Sequence, residues 1–279
     1  MGLVRSLGIV GWAWRRVLPK VLEPGLWLPF LVVAAVQVLL LVWLLSFHRG
    51  WAQPLAAPLL RSVAGEGALH YPQFFSVLPV AFARLTLVQG VLLSSLLGGI
   101  AVILFARAFG RDPEGGSPVR RALARYPSLV LYTALVTGLV FVLFSVQRLI
   151  PGEAVLESRM LRWGTRVGFL LAAVVVESLF IYGTAWIVLR GRNVFGAIPA
   201  ALGTAAKAFL PTLFLVAIPA LAQFPFNYLE GRGDIIIRKF QPEIMAGVIG
   251  IEIAVDAIIA FFLVGTITFV FLWRQEPSA

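Results

Sequence analysis

The run LWLPFLVVAAVQVLLLVWLLSF, residues 26–47, decides how the rest of the chain is read. It holds 22 residues and no charge, and its two polar side chains outside the indoles are Gln37 and Ser46. A helix needs about 20 apolar residues to cross a hydrocarbon layer of roughly 30 Å. The run is too long for the apolar region of a signal peptide, which covers roughly 7–15 residues, and no small-residue cleavage site follows it. It reads as a retained membrane span.

Working outward, five further stretches have the same character, over about 86–108, 128–147, 164–189, 208–225 and 245–273. Nothing between them alternates with period two between aromatic girdles, so a membrane β-barrel is excluded. The expected fold is all-α: a polytopic bundle of six transmembrane helices forming a single integral membrane domain over residues 1–279.

Composition agrees. Of 279 residues, 60% are apolar and 13% charged, and the mean hydropathy is +0.93. Soluble domains run at roughly 45–50% apolar and about 25% charged, so the solvent here is largely lipid. The chain has no cysteine, which removes disulfides, thiolate zinc sites and iron–sulfur clusters. Its two histidines, His48 and His70, fall between the first two spans, away from any place where haem would be ligated. No cofactor and no metal site are expected. There is no Gly-x-Ser-x-Gly, no His-Glu-x-x-His and no phosphate-binding glycine loop with its lysine, so the chain reads as a non-enzyme.

The 23 basic and 13 acidic residues leave a net charge of +10. In a membrane protein this excess is expected in loops facing anionic head groups, so no nucleic acid is expected as a partner. Thirteen Lys and Arg fall on the side of the termini and ten on the other, which places both termini in the cytoplasm of a bacterial inner membrane.

A short basic segment leads into each odd-numbered span. In Leu3–Lys20, the residues Leu3, Leu7, Val10, Trp14 and Val17 follow the spacing of one helix face, with Arg5 and Arg16 opposite. Trp12 falls on the basic side and breaks the pattern. The second segment starts at Ser117-Pro118, a hydroxyl cap followed by proline at the first helical position, and carries Arg120, Arg121 and Arg125. The third covers about Phe195–Lys207. Arg5, Arg15, Arg16, Lys20, Arg120, Arg121, Arg125 and Lys207 are the expected head-group contacts.

Each segment then meets its span through one vocabulary: Pro24-Gly25-Leu26-Trp27-Leu28, Pro127-Ser128-Leu129-Val130-Leu131 and Pro211-Thr212-Leu213-Phe214-Leu215. The layout suggests a lead helix and hairpin repeated three times. It resembles a broad set of poorly characterised bacterial six-span proteins, including the membrane region fused to some glycerophosphodiester phosphodiesterases. That resemblance implies a six-span fold; it carries over no functional residue, and the phosphodiesterase catalytic domain has no counterpart here.

Three carboxylates lie within spans: Glu177 in the fourth, and Glu252 and Asp256 in the sixth, where a spacing of four sets them on one face. Such residues usually face a bundle interior or a hydrated cavity. With Gln37 they form the candidate intramembrane polar site, and the candidate hydrogen-bond partners of the acids are Gln37, Gln89, Ser94, Ser95, Tyr132, Thr133, Thr137, Ser178 and Tyr182. Gly90, Ser94 and Gly98, with Ser95 and Gly99 alongside, read as a close-packing stripe in the second span. Residues 73–85 and 151–163 read as helices lying in the interface, and Asp234–Arg238 as an extended run.

Two functions follow from these readings. The first is a non-catalytic accessory or regulatory component of a membrane assembly, with anionic lipid head groups and a membrane-protein partner or a second copy as its contacts. The second is a small proton- or cation-linked transporter or channel using the intramembrane carboxylates.

Overall fold

The computed structural model of the chain describes residues 3–112, 114–149 and 159–275. Among these residues the regular structure is entirely helical, and six helices are long and apolar enough to cross a membrane. In chain order the elements are α1 (Leu3–Val17), α2 (Pro24–Leu45), α3 (Gln53–Ala64), α4 (Phe74–Gln89), α5 (Ser95–Ala108), α6 (Pro118–Ala124), α7 (Tyr126–Leu149) and α8 (Arg159–Phe180). They continue as α9 (Gly183–Arg190), α10 (Val194–Lys207), α11 (Phe209–Glu230), α12 (Gly233–Lys239) and α13 (Ile244–Arg274).

The chain divides into two compact units. The first takes the chain through Leu26, Ser95–Ala220 and everything from Phe262; the second takes Trp27–Ser94 and Leu221–Phe261. The lead helices α1, α6 and α10 all belong to the first unit, and the short helices α3 and α12 to the second.

Each lead segment is helical, and each junction proline sits at the start of the span that follows. Pro24 opens α2, Pro127 is the second residue of α7 and Pro211 the third of α11. A first-turn N–H has no partner within its own helix, so proline there loses no hydrogen bond. The caps are as local chemistry demands. Ser117 Oγ accepts from the Arg120 N–H at 3.4 Å, and Asn193 Oδ1 accepts from the Gly196 N–H at 2.9 Å.

The α1 face differs from the sequence reading by a rotation. Its buried residues are Ser6, Ile9, Val10, Ala13 and Val17, while Leu7 is 47% exposed. The reason is packing within the first unit. Trp12 meets Phe269 edge-on at 4.6 Å and Trp273 at 5.4 Å, and Trp14 stacks on Phe262 at 5.3 Å. Ala13, fully buried, faces the core between them. Contact with α13, rather than partition between lipid and water, sets the face.

The second span is longer than expected. Residues 73–85 do not form a separate interfacial helix: α4, a π-turn at Gly90–Ser94 and α5 run on as one apolar segment, Phe74–Ala108, of 35 residues. At 1.5 Å per residue this is roughly 50 Å, so the segment outruns the hydrocarbon layer. Pro79 does not break it, because Phe74, Val77, Leu78, Ala81 and Phe82 are anchored in the second unit's core with Leu41, Leu44, Leu60, Ile249 and Ile253.

Asp234–Arg238 is likewise helical and not extended. Asp234 stands in the first turn of α12 and Arg238 and Lys239 in the last, the charge order that favours a helix dipole. The fourth span breaks after Phe180 into α8 and α9, and Tyr182 at the break is fully buried, sharing a hydrogen bond of 2.6 Å with Thr212. The reading of 151–163 as a surface helix falls largely outside the described residues; from Arg159 the chain is already in α8.

The small-residue stripe of the second span is also displaced. Gly90 and Gly98 face open space. Gly99 makes the close approach, since a Cβ there would stand 2.9 Å from Leu129 Cδ1 and 3.2 Å from Val188 Cγ1.

Candidate functional site

Among the described residues, two groups of polar side chains within the spans belong to the second unit, and Glu177 and the Tyr182–Thr212 pair to the first. In the second unit, Glu252 and Asp256 stand one turn apart on α13, as their spacing requires. Their neighbours come from α11: Gln223 Nε2 donates to Asp256 Oδ1 at 3.1 Å, and Glu230 is hydrogen-bonded to Glu252. Neither neighbour is among the partners expected from the sequence. The expected fifth span stopped at residue 225, whereas α11 continues to Glu230. The signal was present in Gln223, Asn227 and Glu230, which follow i, i+4, i+7 along one face of that continuation.

The second group surrounds the π-turn. Gln37 Nε2 donates to Gln89 Oε1 at 3.5 Å, and Gln89 Nε2 donates to Ser94 Oγ at 3.2 Å. Gln89 is buried, so its amide is satisfied on both sides by these neighbours. Gln37, Gln89 and Ser94, named from the sequence as candidate partners for the intramembrane acids, are here bonded to one another. The π-turn lies between Gln89 and Ser94 in sequence, and the Gln89 side chain bridges it.

Glu177 belongs to the first unit, and Glu252 and Asp256 to the second. Among the described residues no hydrogen-bond or ion-pair partner reaches it. The neighbouring Ser178 donates to the Val174 carbonyl at 2.6 Å. Tyr132 donates to the Phe180 carbonyl, and its ring lies where a Cβ on residue 183 would be, 1.9 Å from Tyr132 Cζ. Glycine at 183 is what admits the ring.

The basic side chains of the first unit take three different roles. Arg121 is drawn into the turn before α6 rather than out toward lipid. Its guanidinium pairs with Asp112 and Glu114 and donates to the Val188 carbonyl at 3.2 Å, leaving the side chain 13% exposed. Arg107 Nε reaches the other Asp112 oxygen at 2.6 Å. Burial of Asp112 opposes its charge, but the hydrogen bonds from Arg121 and Arg107 outweigh burial and hold its carboxyl below the usual aspartate value. Arg125 is half-buried, its guanidinium lying over Gly191, where φ is +66° and a Cβ would stand 2.6 Å from Nη1.

Seven further cations of the first unit line two clefts that include residues from the end of α13. One, of about 600 Å³, is lined by Arg15, Arg16, Lys20 and Arg111 with Trp12, Phe109, Phe269 and Trp273. The other, of about 750 Å³, is lined by Arg192, Lys207 and Arg274 with Trp186 and Thr204. Arg16 lies 6.0 Å from the Trp12 ring centroid and Arg192 5.0 Å from that of Trp186. Arg120 is exposed on α6, and the side chain of Arg5 is outside the described ones. No family model, no curated protein and no solved structure matches the chain.

Proposed function

We propose that the chain is a non-catalytic multi-pass protein of a bacterial inner membrane, with both termini cytoplasmic, that carries protons through the carboxyls of Glu230, Glu252 and Asp256. One observation carries this reading: Glu252 and Asp256 stand one turn apart on α13, Asp256 accepts from Gln223 at 3.1 Å, and Glu230 of the same helix as Gln223 interacts with Glu252. Carboxyls set close together repel when both are ionised, so a proton passed between them is the chemistry this arrangement suits. All three acids are half-buried rather than sealed, which a group exchanging protons with water requires. Gln223 supplies an uncharged donor that orients Asp256 without neutralising it.

The accessory-component reading rests on missing motifs, the apolar bundle and the three basic lead segments, and no further contact favours it. Glu177, placed in the other unit, is left out of the proton-carrying group.

The test is proton flux into proteoliposomes under an imposed pH gradient, followed with a trapped pH dye. The wild type should dissipate the gradient faster than empty liposomes, and Glu252→Gln or Glu230→Gln should reduce the rate to that of empty liposomes. Glu177→Gln should leave it unchanged. A wild type no faster than empty liposomes, or full flux in the Glu230→Gln/Glu252→Gln/Asp256→Asn variant, would overturn the reading.

A further inference from the structure

We infer that the cleft between α1, the turn after α5 and the end of α13 is a binding site for one phosphate-bearing anion, of the kind an anionic phospholipid head group presents. The inference is independent of the carboxyl cluster, which lies in the other unit.

The observation behind it is the residue that spoiled the sequence pattern. Trp12 stands on the basic side of α1, where a purely interfacial helix would carry a polar residue. In the folded unit it is half-buried, edge-on to Phe269 at 4.6 Å and to Trp273 at 5.4 Å, while Phe109 meets Phe269 at 5.3 Å. These rings form an apolar wall. Arg15, Arg16, Lys20 and Arg111 line the cleft with them, and Arg15, Arg16 and Arg111 are exposed. Lys20 pairs with Glu23 at 2.7 Å, so its charge is partly offset, but no acidic side chain is among the lining residues and the arginines keep the cleft positive.

Shape and chemistry then select the ligand. A volume of about 600 Å³ falls within the usual range of ligand sites, roughly 300–1,000 Å³. Planar guanidinium groups match the oxygens of a phosphate. An aromatic wall beside them suits a ligand that is charged at one end and apolar at the other, as at a membrane interface. Head-group attraction spread over a flat basic helix would be non-saturable. A cleft whose rings and cations come from three separate segments should instead saturate and depend on particular residues.

Binding is read from tryptophan fluorescence of the full chain in mild uncharged detergent. The probes are short-chain phosphatidylglycerol, short-chain phosphatidylcholine, glycerol 1-phosphate and inorganic phosphate. Saturable binding of phosphatidylglycerol at least tenfold tighter than phosphatidylcholine, with the soluble phosphates weaker still, would identify a lipid head group. Glycerol 1-phosphate or inorganic phosphate binding as tightly as the lipid would identify a soluble phosphate ligand at the same site. In either case Arg15→Gln/Arg16→Gln should weaken binding at least tenfold, and Lys20→Gln alone severalfold. Arg238→Gln/Lys239→Gln removes the same charge from the other unit and should change affinity less than twofold. Saturation with none of the four probes, or equal weakening by both double variants, would overturn the site. If Arg15→Gln/Arg16→Gln does not fold, Lys20→Gln and Arg111→Gln decide, and unchanged affinity in both would count against it.

Discussion

Replacing Asp112 by Asn should loosen the turn between α5 and α6 by an amount the geometry sets. The carboxylate accepts from Arg107 Nε at 2.6 Å and from Arg121 Nη1, and its own side chain is 7% exposed. Hydrogen bonds to charged groups contribute about 1.5–3 kcal/mol each. Asparagine keeps one carbonyl acceptor but turns an amide N–H₂ toward the second guanidinium, donor against donor. One charge-assisted bond is lost and a largely buried Arg121 is left under-compensated. Breaking a buried pair costs about 3–5 kcal/mol, and the low end applies because Arg107, 34% exposed, can turn to water. At roughly 2–4 °C per kcal/mol for chains of this size class, about 3 kcal/mol lowers the unfolding temperature by about 6–12 °C at neutral pH.

The pH dependence follows with a definite sign. The folded-state pKa of Asp112 is depressed, so its stabilisation is complete above the unfolded value of about 4 and is lost as pH falls through the lower folded value. Asparagine does not titrate. The gap between wild type and variant should therefore stay constant from about pH 8 to 5 and close below about pH 4, by at most about 1.4 kcal/mol per pH unit. Thermal unfolding in detergent, followed through the chain's eight tryptophans, measures it. A gap below 2 °C at pH 7, or one as large at pH 3 as at pH 7, would refute the reasoning.

Gly183→Ala should destabilise by about 1–3 kcal/mol or more, the range for overpacked cores, because its Cβ would meet the buried Tyr132 ring at 1.9 Å; unchanged thermal unfolding would contradict the placement of that ring. Gly99→Ala should lower stability while Gly98→Ala leaves it within about 0.5 kcal/mol, as expected for a substitution away from any packed contact. Equal effects at the two positions would mean that the α5 face is misassigned. Cysteines introduced singly at Ser117 and His70, in a chain with none of its own, should react differently with a membrane-impermeant thiol reagent on intact spheroplasts. His70→Cys should label and Ser117→Cys should label only after permeabilisation, and the reverse pattern would invert the proposed orientation.

The six apolar segments, the three lead helices and the caps at Ser117 and the junction prolines were legible in the sequence, because each depends on interactions within one short stretch. Apolar length decides whether a helix can cross lipid, and a hydroxyl or a proline near a helix start acts through neighbours three or four residues away. The pairing of Glu252 with Asp256 on one face was legible for the same reason, since helical pitch alone places them.

What lay across helices was decided by tertiary structure. Whether 73–85 joins the second span, which face of α1 is buried, and whether Gly98 or Gly99 carries a close contact all depend on which surface a neighbouring helix offers. The same holds for the chemistry. Gln223, inside the expected fifth span, meets Asp256 because α11 packs that face toward α13, and Glu230 reaches Glu252 because α11 continues past residue 225. Arg121, in a basic segment that reads as lipid-facing, is instead claimed by Asp112 nine residues earlier and by the Val188 carbonyl far along the chain. In a chain so uniformly apolar, hydropathy tells helix from loop but barely tells one helix face from another. The faces are therefore settled by shape, by the few polar groups that must find each other, and by the glycines that let rings and side chains approach.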